Sequence, residues 1–395
     1  MPAAADVTTQ APPGGWPTRS RVLLVTFGSV LEPRGGLPVR SRLLAEALTE
    51  LDYRPAIIST KEPRRPPAAD LPGWARELHV LEHRPHIGFS FELARTIRRV
   101  ARNNDLIIVA NAMFFPALAL SRTRLPLIWD TNECQTLHYR RMPPRLSTRL
   151  RALAWTILES WGTRRSTIAV AIGADEAAWW RRLYPALDGR LMVVDHMPLA
   201  GLPQHDDVRG YVEALCGRSL GGPLLVFAGT LVGKHNAVAA RWLLDELAPR
   251  LDPNATLVLC GPGTERLTPV PGTEARVRCL GPVQDLDSVI AAADFCLAPL
   301  SSGAGVKTKV LHYLAHGRRV IGTPIAFEGL TSAPGLISAP LDDLPDVIRR
   351  AIGGHESDVT ASRRRSAQAA WLEATHGRRH VIQQWRSALQ CLNLN

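Results

Sequence analysis

Short, wholly apolar runs alternate along the chain with longer stretches in which apolar residues recur every three or four positions. Arg21–Phe27 (RVLLVTF) is the first such run, with Gly28, Gly35 and Gly36 after it. Leu37–Leu51 then sets Leu43, Leu44, Ala47, Leu48 and Leu51 on one helical face. Ala56–Ser59, Leu78–Leu81, Leu106–Ala110, Leu125–Trp129, Ile168–Ile172 and Leu191–Val194 read as further strands, with a helix over Phe89–Arg102. Strands without polar alternation are buried on both faces, which predicts a parallel sheet between two layers of helices. Asp195–Pro203 (DHMPLAGLP) has no period and reads as a linker.

The alternation then restarts. Strands are predicted at Leu224–Phe227, Thr256–Cys260, Val277–Leu280, Phe295–Ala298 and Arg319–Thr323. Helices are predicted over Ala237–Leu247, Leu286–Ala292, Thr308–Ala315 and Leu344–Ile352, before a basic helical C-terminus. The expected class is α/β, with two doubly wound domains. The parts are a leader over 1–20, an N-terminal domain over 21–198, a C-terminal domain over 199–375, and a helix at 376–395 packing back on the N-terminal domain. In such sheets ligands sit beyond the carboxyl ends of the strands, so those loops carry the candidate chemistry.

Composition narrows the picture. At 395 residues the chain is too long for one ordinary core, and 46% apolar with 21% charged residues excludes a disordered chain. The net charge is +11, yet only four of the 47 basic residues are lysines (Lys61, Lys234, Lys307, Lys309) and the other 43 are arginines. That bias suits a GC-rich bacterial genome and makes each lysine an exception. The cysteines (Cys134, Cys216, Cys260, Cys279, Cys296, Cys391) never approach zinc or redox spacing, and several lie in apolar runs. A reduced, cytoplasmic protein is expected. The first twenty residues lack the basic and apolar regions of a signal peptide. Leu106–Leu120, interrupted by Asn111 and Pro116, is too short to span a bilayer.

Two phosphate motifs fail. In Gly229–Lys234 (GTLVGK), Ala228 stands where the first glycine of a phosphate loop is needed, and His235 replaces the serine or threonine after the lysine. Gly261-Pro-Gly263 continues to Arg266 where a dinucleotide fingerprint needs a small residue. Ser301–Lys309 (SSGAGVKTK) is stronger, because it follows an apolar strand and opens a helix. Gly303 and Gly305 let backbone amides approach an anion, the helix N-terminus favours negative charge, and Lys307 and Lys309 add cations. A solvated turn with two stray cations is the bland alternative.

These residues resemble a family. LLVFAGTLVGKHNAVAARWLLDEL, ATLVLCGPG and VRCLGPVQDLDSVIAAADFCLAPLSSGAGVKTKVLHYLAHGRRVIGTPIAFEGL, over about Leu224 to Leu330, are similar to retaining glycosyltransferases of group 1, family 4-like, with the GT-B fold. The N-terminal likeness is looser, resting on Gly35-Gly36 and PLIWDTNE around Asp130–Glu133. The resemblance implies two Rossmann-like domains facing across a cleft. It implies transfer of a sugar from a nucleotide-diphosphate donor, a UDP-sugar being favoured, to a small-molecule or lipid-linked acceptor of bacterial envelope or natural-product biosynthesis.

Carried over to this chain, Lys307 and Lys234 would hold the donor diphosphate, with Gly303, Gly305 and Lys309 around it and Gly35 and Gly36 lining it. Glu328, in FEGL, would accept hydroxyls of the donor sugar or ribose. Such enzymes need no cofactor and no metal, and the chain has no DxD motif. Three departures stand out. The family's paired glutamates fall on Ala304 and His312, and where relatives often read DxHE this chain has Asp130-Thr-Asn132-Glu133. Asn132 can donate a hydrogen bond to a sugar but cannot titrate, and His312 changes how ribose is held. These losses keep open a non-catalytic GT-B protein that binds a sugar nucleotide or a partner. A GT-B epimerase or phosphorylase lacks supporting residues.

Other groups have plain readings. His312 and His316 share the i, i+4 spacing of a helical metal pair, with no third ligand evident in the sequence, and His376 and His380 repeat that spacing. Glu133 reads equally as a helix cap. Between 139 and 190 ten arginines face four acidic residues, interleaved with Trp155, Trp161, Trp179 and Trp180. That stretch suits either a solvated face or the anionic inner surface of a membrane. No nucleic-acid module is recognisable.

Overall fold

The computed structural model describes residues 21–33, 35–60, 71–81, 90–198, 200–354 and 356–392. The predicted leader at 1–20 lies outside them. Two compact units divide the chain, one formed by Met1–Met197 with Arg378–Asn395, the other by Pro198–Gly377.

In the first unit the apolar runs become β1 (Val22–Phe27), β2 (Ala56–Thr60), β3 (Glu77–Leu81), β4 (Leu106–Val109), β5 (Leu127–Asp130), β6 (Ile168–Ala171) and β7 (Leu191–Val193). They form one parallel sheet in the order β3-β2-β1-β4-β5-β6-β7. Leu24 at its centre pairs with Ile57 on one side and Ile108 on the other. The helices are α1 (Gly36–Glu50), α2 (Phe91–Ala101), α3 (Phe115–Ser121), α4 (Gln135–Arg140), α5 (Leu146–Arg165) and α6 (Ala174–Leu183). Ser90 caps α2 by accepting the Leu93 N–H, which sets its start.

The 20-residue α5 differs from the plain amphipathic pattern. Its buried positions are Ala152, Leu158, Glu159, Gly162 and Thr163, while Leu146, Leu150, Leu153, Ile157 and Trp161 are exposed. A Cβ at Gly162 would come within 2.6 Å of the Phe115 ring and 3.0 Å of the Trp129 ring, so the helix seats closely only with glycine there. The tryptophans of this stretch divide between core and surface, Trp161 being exposed. Trp180 is fully buried, edge-on to Trp129 and beside Tyr184, and Trp155 is half-buried.

The second unit begins with α7 (Val208–Cys216), followed by β8 (Leu224–Ala228), α8 (Lys234–Trp242), β9 (Thr256–Cys260), β10 (Val277–Gly281), α9 (Leu286–Ala292), β11 (Phe295–Ala298), α10 (Thr308–Ala315), β12 (Arg319–Gly322), β13 (Leu336–Ser338), α11 (Leu344–Gly353) and α12 (Asp358–His376). Its parallel sheet runs β10-β9-β8-β11-β12-β13. Strand β13, short and half-exposed, is absent from the apolar pattern of the sequence.

The last helix, α13 (Arg378–Gln390), belongs to the first unit. Val381, Ile382, Trp385, Ala388 and Leu389 enter its core beside α1, and Arg378 pairs with Glu46 and Glu50 of that helix. His376 and His380 therefore do not share a helix. His376 ends α12, buried, whereas His380 Nε2 lies 3.3 Å from Asp195 Oδ2 in the first unit.

Candidate functional site

In the second unit the strand order reverses between β8 and β11, so the loops after these two strands part and leave a crevice at their carboxyl ends. The SSGAGVKTK segment lies there. Gly303 and Gly305 adopt φ of +128° and +69°, and a Cβ at Gly303 would stand 3.2 Å from Lys307 Cε. Both positions therefore favour glycine. Lys307 is the N-cap residue of α10, nine-tenths buried, and its Nζ donates to the Gly305 carbonyl.

Lys309 bridges the reversal. Its Nζ donates to Asn236 Oδ1 at 2.6 Å and sits 4.0 Å from the centre of the Phe227 ring. Burial of that ammonium pulls its pKa down to about 7. Asn236 Nδ2 in turn donates to the Thr230 carbonyl at 3.0 Å. A Cβ at Gly229 would reach within 2.8 Å of Lys309 Nζ, and one at Gly261 within 2.5 Å of the Gly229 carbonyl. The loops after β8 and β9 thus pack on each other through glycine backbone. Asn236, a polar residue on the buried side of α8, was not singled out by the sequence, and its only signal there is its place three residues after Gly233.

Glu328 follows a 3-10 turn at Pro324–Phe327 beyond β12. Its neighbour Gly329 lies against the lysine loop, since a Cβ there would meet Val306 Cγ2 at 2.8 Å. Gly303, Gly305, Lys307 and Glu328 are thereby gathered on adjoining loops, with Lys309 in the first turn of α10 beside them. Lys234 opens α8 and is exposed. His312 turns toward α9, where its Nε2 lies 2.7 Å from Asp287 Oδ1, and His316 Nε2 lies at the same distance from the same oxygen. The reading that no third ligand accompanies the two histidines is corrected by this carboxylate, 25 residues away in sequence. Burial raises the Asp287 pKa, but hydrogen bonds and charge from His312 and His316 outweigh it and hold the carboxyl well below the usual range.

In the first unit the reversal falls between β1 and β4. Gly35 has φ of +91° at the N-cap of α1, with open space where a Cβ would stand, and Gly36 opens the helix. Asn132 adopts a left-handed φ of +59° and its Nδ2 donates to the Ala110 carbonyl at the end of β4. Glu133 lies 2.9 Å from His138 Nδ1 and accepts from Gln135 Nε2. Of the two readings of Glu133, the cap is not the one these bonds support, because other carboxylates receive the first amides of α4. Glu159 of α5 accepts the Gln135 and Thr136 N–H groups, and Glu176 of α6 accepts that of Cys134. Burial is the main cause that raises both carboxyls, Glu176 to about 7. Tyr184 donates its hydroxyl to Glu159 at 2.6 Å.

One buried pair escaped the sequence reading. Arg40 Nε lies 2.9 Å from both carboxylate oxygens of Asp130, and its Nη2 donates to the Val194 carbonyl at 3.0 Å. Asp130, first of the DTNE residues, is wholly buried and serves to neutralise this guanidinium. An arginine on the apolar face of Leu37–Leu51 was its only sequence signal.

Comparisons with known proteins agree with this architecture. Residues 34–196 match the family described as Glycosyltransferase Family 4, and residues 222–353 match Glycosyl transferases group 1. No curated protein matches in sequence. Among solved structures, Anabaena Alr3699/HepE in complex with UDP and glucose is similar over 94% of this chain and all of its own, with a TM-score of 0.70 at 15% identity. Sucrose-phosphate synthase from Thermosynechococcus elongatus is similar over 95% of this chain and 99% of its own, at TM-score 0.70 and 14% identity. WaaG, a glycosyltransferase involved in lipopolysaccharide biosynthesis, is similar over 95% of this chain and all of its own, at TM-score 0.68 and 15% identity. At such identities the likeness is one of fold. Two doubly wound units and two matching family domains in series make this chain a GT-B glycosyltransferase, family 4 in its first half and group 1 in its second.

Proposed function

We propose that the chain transfers a sugar, with retention of configuration and without a metal, from a UDP-sugar to a small-molecule or lipid-linked acceptor of bacterial envelope or natural-product biosynthesis. The observation that carries this reading is the glycine loop with two partly or fully buried lysines at the strand-order reversal of the second unit. Amides of 303–307, Lys307 and Lys309 suit a diphosphate whose negative charge grows as the bond from sugar C1 to phosphate oxygen breaks. The acceptor oxygen bonds to C1 on the same face and its proton passes to the leaving phosphate oxygen. Glu328 is suited to hydroxyls of the donor, Lys234 to the outer phosphate, Gly35 and Gly36 to lining that diphosphate from the first unit, and Asn132 and Glu133 to the reacting sugar and acceptor. UDP is favoured because the fold relative from Anabaena was crystallised with UDP and with UDP-glucose.

Calorimetric titration with UDP, GDP and dTDP, with and without Mg²⁺, tests the donor. Micromolar, metal-independent binding of UDP that Lys307→Ala abolishes is expected. Binding of none of the three would overturn the reading.

We propose also that the first unit docks on an anionic membrane face. No helix among the described residues is long and apolar enough to cross a membrane. On α5, exposed Leu146, Leu150, Leu153, Ile157 and Trp161 fall within an arc of about 80° at ~100° per residue. Arg145, Arg149, Arg151 and Arg164 flank them, and the one acid of the helix, Glu159, is buried. Arg141 and Arg182 each lie over the Trp179 ring nearby. Apolar stripe and one-signed charge suit anionic lipid better than a second, equally basic copy. Vesicles rich in phosphatidylglycerol should sediment the protein, and Leu150→Asp with Ile157→Asp should release it. Equal binding to neutral vesicles would refute the charge argument.

A further inference from the structure

The cluster of Asp287, His312 and His316 serves no purpose in sugar transfer as described, and its geometry is crowded. Asp287 Oδ1 has both imidazole Nε2 atoms at 2.7 Å and also accepts the Gly201 N–H at 3.2 Å. One carboxylate oxygen offers two lone pairs, so three donors on it exceed what it can accept well. Convergence of two imidazoles and a carboxylate is instead what a cation satisfies, because the nitrogens then present lone pairs rather than protons. The three ligand atoms all lie within 4.8 Å of one another. The side chains of Asp287, His312 and His316 keep 24%, 18% and 7% of their exposure, so an ion can enter and water can complete its shell.

Local structure holds the three in place. His312 in the last turn of α10 and His316, its C-cap residue, stand one turn apart and face the same way, with 5.3 Å between ring centroids. Asp287 sits in the first turn of α9, whose start is fixed by Asp285 accepting the Ser288 N–H. The same two acidic residues hold the opening segment of the second unit, Asp287 through Gly201 and Asp285 through the Gln204 N–H at 2.9 Å.

We propose that Asp287, His312 and His316 form a binding site for a borderline divalent cation of the zinc, cobalt or nickel kind, tying α9, α10 and the Gly201 segment together. Two imidazoles with one carboxylate select these ions over magnesium and calcium, which take oxygen ligands. The site is independent of the donor reading and takes no part in the transfer step.

The test uses the full chain, free of any histidine tag and stripped with chelator. Zn²⁺ is titrated by calorimetry, Co²⁺ by visible absorption, and Mg²⁺ as the control. One equivalent of Zn²⁺ or Co²⁺ is expected, with no response to Mg²⁺ and a melting temperature raised by Zn²⁺. His316→Ala and Asp287→Asn should each weaken binding by about 100-fold while leaving the circular-dichroism spectrum intact. Absence of saturable Zn²⁺ and Co²⁺ binding in the unsubstituted protein would overturn the proposal, and that arm does not depend on either variant folding. Undiminished binding in both variants would overturn it equally. UDP titration on the stripped protein separates this outcome from failure of the donor site.

Discussion

Replacing Asp130 with asparagine would leave the Arg40 guanidinium buried without a counter-charge. Arg40 is 4% exposed and Asp130 not at all, and the ion pair joins the end of β5 to α1 and, through the Val194 carbonyl, to the end of β7. Removing one partner of such a pair costs ~3–5 kcal/mol, because the remaining charge stays desolvated. For a unit of this size that corresponds to a fall in melting temperature of roughly 6–20 °C. Adding Arg40→Met to Asp130→Asn removes the stranded charge. The double variant should then regain most of the loss, short by about 1 kcal/mol for each carbonyl left without its donor, at Val194 and Asp195. Scanning calorimetry of the four proteins gives the coupling directly. If Asp130→Asn melts with the unsubstituted protein, or the double variant is as unstable as the two single losses summed, Asp130 does not neutralise Arg40. Loss of transfer without loss of stability would assign Asp130 to the acceptor instead.

Four further outcomes follow from the geometry. Gly303→Ala forces a side chain into a left-handed backbone beside Lys307 and should weaken UDP binding about tenfold or more, read by calorimetry, with a modest fall in melting temperature from the same strain. Lys309, its pKa lowered to about 7 by burial, is largely neutral in the free protein at pH 8 and should take up a proton when a diphosphate binds. Titrations in buffers of different ionisation enthalpy should reveal that uptake and its loss in Lys309→Met. Because the folded state lowers this pKa, the unfolded chain binds more protons between about 7 and 10.5, so the Lys309 contribution to stability rises with pH across that window. Trp385→Ala should cost ~3–5 kcal/mol in chemical denaturation, since that ring is fully buried in the first unit.

Strands and lysine loop were legible because their signals are local. A parallel strand buried on both faces needs an unbroken apolar run, and Ser301–Lys309 carries glycine, lysine and helix start within nine residues. Helix α5 was obscured by its inversion, since its inner face holds Glu159, Gly162 and Thr163 and its outer face leucines. Asp287 and Asn236 were illegible for another reason. Each meets its partner across 25 and 73 residues of chain, and no spacing rule reports such a meeting. Arg40 and Asp130, 90 residues apart, were hidden in the same way.

The return of α13 to the first unit also sets an order in time. During synthesis the first unit is complete in length only after Pro198–Gly377 has been made. At ~5–20 residues per second that interval is roughly 10–40 s. Throughout it the groove that receives Val381, Ile382 and Trp385 stands open, and by its end the second unit, contiguous in sequence, has every strand it needs. The domain begun first is thus finished last, and a ribosome stalled near Gly377 would display a folded second half beside a first half still lacking its closing helix.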